Sequence, residues 1–280
     1  MKSQKEKAEQ LLNLHRGPKI LVLPNSWDVA SARVFEESGF PVTATSSAGV
    51  ANSLGYSDGQ LISRDEMIDV VRRIARAVSG PVTADMEAGY GETADAVVET
   101  VKELIDAGAV GMNFEDATGN DSRPLFDMAE QVEKIKKIKE YTKSRGIPFV
   151  LNARTDVFLL QIGPESERLE HTITRLNAYH AAGADCLFAP AADSPDVISR
   201  LVKGLTGPLN ILGRAGVPSI PELEKLGVTR VSIGSGPMRA AMGLVKNIAG
   251  ELIETGTYKK FSEGAISYSE LNAIMDKSPK

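Results

Sequence analysis

Short apolar runs, many of them β-branched, recur along the chain, and each is followed by a longer stretch of helical period. The runs fall at 20–23, 42–45, 82–84, 111–114, 149–153, 186–189, 209–212 and 230–233. The helical stretches between them fall at 29–38, 64–77, 94–107, 128–144, 166–182, 195–204 and 221–226. Strands that read as continuous apolar runs are buried on both faces, and alternation with helices is the mark of parallel βα units. Gly39, Gly80, Gly108, Gly146 and Gly183 stand at helix-to-strand joints, where a left-handed C-cap is wanted. Even spacing, and no Gly-rich dinucleotide loop after the first strand, favour a closed barrel over an open doubly wound sheet.

The expected fold is therefore α/β: one (β/α)8 TIM-barrel domain over 1–280, with terminal helices beyond what the barrel needs. A leading helix at 4–15, within an N-terminal part spanning 1–18, puts Ala8, Leu11, Leu12 and His15 on one face and caps or precedes the barrel. Further helices at 238–254 and 268–275, within 236–280, are candidates for packing on a neighbouring subunit.

Composition narrows the partners. A formal net charge of −5 leaves no basic stripe for nucleic acid or anionic membrane. No run nears the roughly 20 apolar residues that span a bilayer. The single Cys186 cannot form an intrachain disulfide, and the N-terminal stretch lacks a signal-peptide core, so the expectation is a cytoplasmic protein acting on small polar metabolites.

In such a barrel the chemistry comes from the C-terminal ends of the strands. Asn25 ends the first strand, Thr45, Ser46 and Ser47 the second, Asp85 and Glu87 the third, Glu115 and Asp116 the fourth, and Arg154 to Asp156 the fifth. Converging Asp85, Glu87 and Glu115 would repel one another unless a hard cation sits among them, and Mg2+, with Mn2+ as the substitute, is the expected ion. Asp85 is the expected direct ligand; the competing reading is a buried ion-pair network with Arg154. Arg154 suits a substrate carboxylate, against which stands pairing with Asp156 or Glu115. Ser46 and Ser47 could bind a carboxylate or phosphonate, or simply make a turn. Gly89 and Gly91 allow a ligand close to the backbone. His15, His171 and His180 share no ligand spacing and read as surface or helix-packing residues; Cys186 reads as buried packing, Asp28 as a helix cap, and Trp27 as a pocket wall.

The motifs Leu23-Pro24-Asn25 with Trp27-Asp28, 45–51 (TSSAGVA), 54–58 (LGYSD), 84–91 (ADMEAGYG), 113–116 (NFED) and 152–156 (NARTD) occur in order over nearly the whole chain. On them the chain resembles the isocitrate lyase / phosphoenolpyruvate mutase superfamily. The resemblance implies a Mg2+ site at Asp85, Glu87 and Glu115, a nearby acid at Asp58, and substrate binding by Ser46, Ser47 and Arg154, to which the strand-end position of Asn25 and the open backbone at Gly89 add two further substrate-binding candidates. Catalytic roles fall to Asp58, Glu115 and Arg154. It further implies a homo-oligomer, tetramer or dimer, with a C-terminal helix swapped between subunits.

Two departures shape the expected function. Glu87 stands where the family usually has Asp. The loop after the fourth strand, 117–124, contains no Cys, His or Lys, whereas the isocitrate and methylisocitrate lyases carry a basic Cys-Gly-His motif there whose Cys is a general acid. Arg123 is the loop's only cation and is expected to point into the pocket. The resulting expectation is a Mg2+-dependent lyase that cleaves a C–C bond beside a 2-oxo or 2-hydroxy carboxylate through an enolate, of the oxaloacetate decarboxylase or substituted-malate lyase kind. The alternatives are a phosphonopyruvate-type P–C bond enzyme and a 2-oxo-acid binding protein with lost catalysis.

Overall fold

The computed structural model describes residues 2–277. Its main sheet has nine strand pieces, all pairing in parallel. Two of them, Leu21–Leu23 and Asn25–Ser26, are halves of one strand interrupted at Pro24, which has no N–H for the ladder. The first half pairs with Arg230–Ser232 and the second with Thr43–Thr45, so the sheet closes through this strand into an eight-stranded barrel. The other strands are Val82–Asp85, Gly111–Glu115, Val150–Arg154, Cys186–Phe188 and Leu209–Leu212. Asp85 and Arg154 are thus the last residues of their strands rather than the first of their loops.

Alternation along the strands separates core from site. Met112, Phe114, Leu151 and Ala153 pack outward into the core beneath the helices. Asn113, Asn152 and Arg154, between or beside them, line the cavity inside the barrel. The leading helix Gln4–Leu14, opened by a Ser3–Glu6 capping box, plugs the N-terminal mouth. Its Ala8 and Leu11 are buried with Leu21, Leu23, Val42, Ala44, Val110 and Val150. Gly111 leaves room for it, since a Cβ there would come 3.0 Å from Leu11 Cδ2. His15, at the C-cap of this helix, is buried, and packing rather than surface is its environment.

The helices follow the predicted order, from Val29–Glu37 through Arg64–Ala77, Ala94–Asp106, Met128–Ser144, Glu165–Ala181 and Pro195–Gly204 to Ile220–Leu226. Gly39, Gly108, Gly146 and Gly183 have the expected positive φ. Gly80 does not; a Cβ there would stand 2.8 Å from Pro41 O, so close backbone approach explains it. Periodicity did not announce two elements above the barrel. Ser47–Ser53 is a short helix capped by Ser46, and Ala117–Asn120 with Arg123–Leu125 is an antiparallel hairpin on the loop after the fourth strand.

Beyond the barrel lie helices Gly236–Glu254, Lys259–Ser262 and Tyr268–Asp276. The last docks on Val29–Glu37 of its own chain, where Arg33 donates to the carbonyls of Ile274, Met275 and Lys277. Among the described residues no helix is long and apolar enough to cross a membrane.

Candidate active site

A cavity of about 230 Å3 opens inside the barrel toward the C-terminal strand ends. Of the residues singled out in the sequence, Asn25, Ser46, Ser47, Asp58, Asp85 and Arg154 line it, whereas Glu87, Gly89, Glu115 and Arg123 do not.

Asp85 is its best-ordered acid. One oxygen accepts from both the N–H and the hydroxyl of Ser47, at 3.0 and 2.7 Å, and the other accepts from Asn113 Nδ2 at 2.8 Å. Asn113 in turn accepts from Asn152 Nδ2 at 2.9 Å. The three side chains sit on matched register positions of neighbouring strands, so the sheet itself sets their spacing. Asp85 N donates to Thr45 Oγ1 at 2.9 Å, which fixes the backbone under the carboxylate.

Arg154 faces the cavity from a clamp of two acids. Its Nε and Nη2 fork onto Asp156 at 2.5 and 2.8 Å. Its Nη1 stands 2.7 Å from Glu115 Oε2, a contact off the N–H direction that makes an ion pair without a hydrogen bond. Burial alone would lower the Arg154 pKa, but Glu115 and Asp156 reverse this and hold the guanidinium charged. Burial pushes the Glu115 carboxyl well up, against the pull of Arg154. The pairing foreseen as the competing role of Arg154 is therefore present, and the side chain still borders the cavity.

Under this clamp lies a second buried network. Asp116 accepts from Thr155 Oγ1 at 2.6 Å, Asp156 N at 3.0 Å, Arg175 Nε at 2.8 Å and Tyr179 OH at 2.7 Å. Phe126 N closes the hairpin loop onto Asp116 O at 2.8 Å. The loop after the fourth strand is thus tied to the strand end that carries Glu115.

Glu87 adopts a left-handed backbone (φ 50°) that turns its side chain from the cavity toward Gln60 N, at 2.6 Å. Burial, then the charges of Asp85 and Asp58, push its carboxyl up to about 7. Asp58 stands at the open rim, and its carboxyl is raised by the protein around it and by Asp85.

Four sequence expectations are redirected by the geometry. Asn25 borders the cavity, but its amide is consumed: it donates to Thr45 O at 2.7 Å and accepts from Ile233 N and Gly234 N, both at 2.8 Å, stitching the barrel closed. Ser46 caps the short helix through Gly49 N, at 3.2 Å. Gly89 is required by packing, because a Cβ at its φ of 83° would meet Phe114 and Val97 at 2.9 Å. Arg123 points outward over the Phe126 ring and pairs with Glu130 and Asp127. Residues missed in the sequence are Asn113, Asn152, Arg230 and Ser232, polar side chains set inside apolar strands and facing the cavity. Their one signal was a polar residue at an inward alternate position.

Among the described residues no three His, Cys, Asp or Glu side chains converge into a metal cage. Mg2+ takes one or two carboxylates and keeps several waters. Asp85 suits that role, since the oxygen that accepts only from Asn113 keeps a free lone pair and Asp58 borders the same cavity. The residues present fit such an ion.

Fold and site together define a barrel enzyme whose chemistry lies at the C-terminal strand ends. Residues 11–253 match the phosphoenolpyruvate phosphomutase family, and the chain belongs to it. It is thereby an enzyme of the isocitrate lyase / phosphoenolpyruvate mutase superfamily of lyases and mutases. A solved protein of Burkholderia cenocepacia J2315, named only as a lyase/mutase, is 36% identical with a TM-score of 0.92, covering 99% of this chain and 98% of that one. An oxaloacetate decarboxylase of a Bradyrhizobium species is 32% identical over 83% of this chain and 80% of its own. The 2-methylisocitrate lyase of Escherichia coli is 28% identical over 86% of this chain and 82% of its own. A phosphonopyruvate hydrolase solved with oxalate and Mg2+ is 25% identical with a TM-score of 0.84, covering 96% of this chain and 94% of that one.

Proposed function

We propose that the protein is a Mg2+-dependent lyase that breaks a C–C bond of a 2-oxo or 2-hydroxy diacid, as in oxaloacetate decarboxylation or cleavage of a substituted malate. The observation that carries this reading is the pairing, in one cavity, of a clamped cation, Arg154, with a hydrogen-bonded carboxylate, Asp85. Arg154 suits the carboxylate next to the 2-oxo or 2-hydroxy carbon. Asp85 is the residue to hold Mg2+ directly, with Asp58, the other acid lining the cavity, to order its waters, while Glu87 and Glu115 contribute charge from outside the cavity. Bound Mg2+ supplies Lewis-acid polarisation of the substrate's 2-oxygen.

With oxaloacetate, the C3–C4 bond breaks, CO2 leaves, and the electron pair moves into an enolate that takes a solvent proton at C3 to give pyruvate. With a substituted malate, the 2-hydroxyl gives its proton to solvent, the C2–C3 bond breaks and the 2-oxo acid is released. The electron pair passes toward the C4 carboxylate, and C3 takes a solvent proton to give the second acid. Neither route needs the loop Cys of the isocitrate and methylisocitrate lyases. In this chain the corresponding loop is a hairpin whose one cation faces away from the cavity.

Turnover of oxaloacetate or 2-methylmalate to pyruvate, abolished by EDTA, tests the reading. Asp58 at the cavity rim also favours a second reading, P–C cleavage of phosphonopyruvate. Following phosphonopyruvate by 31P NMR decides it; an unchanged spectrum disposes of it. We also infer assembly with further copies of the chain, supported by the apolar side chains of Leu244, Val245, Ile253 and Phe261 left exposed on the C-terminal helices.

A further inference from the structure

Arg230 opens the last barrel strand and lines the same cavity as Asp85 and Arg154, yet it is only 3% exposed. The other deeply buried arginines are matched to acids: Arg154 to Glu115 and Asp156, Arg175 to Asp116. Arg230 has no carboxylate within ion-pair distance among the described residues. Its Nε has no hydrogen-bond partner, and its Nη1 reaches only His15 Nε2, at 3.3 Å.

His15 supplies no negative charge. Its Nδ1 lies 2.8 Å from Leu11 O, which can only accept, so the proton sits on Nδ1 and Nε2 offers Arg230 a lone pair. Burial, then the Arg230 charge, hold the imidazole neutral by lowering its pKa to about 4. Among the described residues Asp85, across the same cavity, is the one carboxylate whose charge reaches Arg230, and it does so without an ion pair; the immediate surroundings are neutral. Cys186 is a thiol that burial pushes up to about 11, and Asn210 and Ser232 bond to each other at 3.0 Å. A guanidinium buried without a counter-charge carries a desolvation penalty of several kcal/mol on general grounds. A bound anion would offset it.

We propose that Arg230 is the specificity-determining group for a second carboxylate, so that the site selects a four-carbon 2-oxo or 2-hydroxy diacid over the corresponding monoacid. This rests on the lyase reading, which places the first carboxylate at Arg154. Arginine's planar fork matches a carboxylate in two hydrogen bonds. The contact also sorts the two reactions. A guanidinium favours a C4 carboxylate that gathers charge, as in cleavage of a substituted malate, over one that sheds charge as CO2.

The test is calorimetric titration of the Mg2+-loaded protein with malate, with 2-hydroxybutanoate, which replaces the far carboxylate by a methyl group, and with oxalate, which lacks the far end. The wild type should bind malate at least about ten-fold tighter than 2-hydroxybutanoate, and Arg230→Gln should bring the two within about three-fold while oxalate binding stays within about three-fold. Without ligand, Arg230→Gln should melt no lower than wild type, since it removes an unpaired buried charge. A fall in Tm together with an unchanged malate preference would assign Arg230 to holding His15 and overturn the proposal, as would a wild type without malate preference. Arg230→Lys, which keeps the charge and loses the fork, is the second variant and should give an intermediate preference. If the preference exists and Arg230→Gln abolishes it, but neither oxaloacetate nor 2-methylmalate is cleaved to pyruvate, the recognition stands and the lyase reading falls. If pyruvate is released with no change in preference, the reverse holds.

Discussion

Ser47 gives both its backbone N–H and its hydroxyl to one oxygen of Asp85, at 3.0 and 2.7 Å, so the start of a short helix orients the carboxylate of the neighbouring strand. Ser47→Ala keeps the N–H and loses the hydroxyl. Partners that orient a metal ligand typically change affinity by about 10–100-fold. Mg2+ titration of Ser47→Ala should show a loss in that range with the melting temperature nearly unchanged. Affinity equal to wild type would mean that Asp85 does not depend on this bond.

Arg154→Lys keeps the charge but cannot reproduce the fork onto Asp156 together with the contact to Glu115. Two buried acids are then under-compensated. Urea unfolding should show a loss of at most about 3–5 kcal/mol, the range for a buried pair that loses one partner outright. Turnover should fall more than stability explains, because the substrate carboxylate loses its planar partner. A variant of wild-type stability and rate would contradict the clamp.

Glu87 predicts a pH dependence. Its carboxyl is raised from the ordinary value of 4.5 to about 7, so the folded protein holds a proton that the unfolded chain releases. Stability is then full below about pH 4.5 and declines as pH rises toward 7, on the order of 2–3 kcal/mol in all. Melting curves in EDTA, compared between wild type and Glu87→Gln, isolate this contribution. The wild type should lose stability relative to the variant across that window. A constant difference between them would show that Glu87 does not titrate there.

Arg123 faces Glu130 and Asp127 on the outside of the hairpin. Arg123→Ala should therefore leave kcat/KM within about three-fold of wild type and cost about 1 kcal/mol or less in stability, as exposed pairs do. A loss of a hundred-fold in kcat/KM would put the side chain in the cavity after all.

These residues show what a sequence can convey. The barrel was legible because strand and helix differ in period, and because Gly39, Gly108, Gly146 and Gly183 mark joints where left-handed backbone is wanted. Asp85 and Arg154 were legible because a charge that ends a buried strand needs a partner. The direction of long side chains was not. Glu87 leaves the cavity because of its left-handed backbone, and Arg123 because a hairpin forms where no hydrophobic period announced one. Arg230 was hidden for the opposite reason, a charged residue at the start of a short strand rather than at its C-terminal end, whose isolation emerges only when its neighbours are known.

Under the proposed function, Asp85 and a divalent cation together drive C–C cleavage of a diacid. The direct measurement is pyruvate release from oxaloacetate and from 2-methylmalate, coupled to lactate dehydrogenase, with Mg2+ or with EDTA, for wild type and Asp85→Ala. Wild type with Mg2+ should turn over at least one substrate, at least about a hundred-fold faster than with EDTA or in Asp85→Ala. Turnover that survives both chelation and loss of Asp85, or no pyruvate from either diacid, would contradict the proposed function.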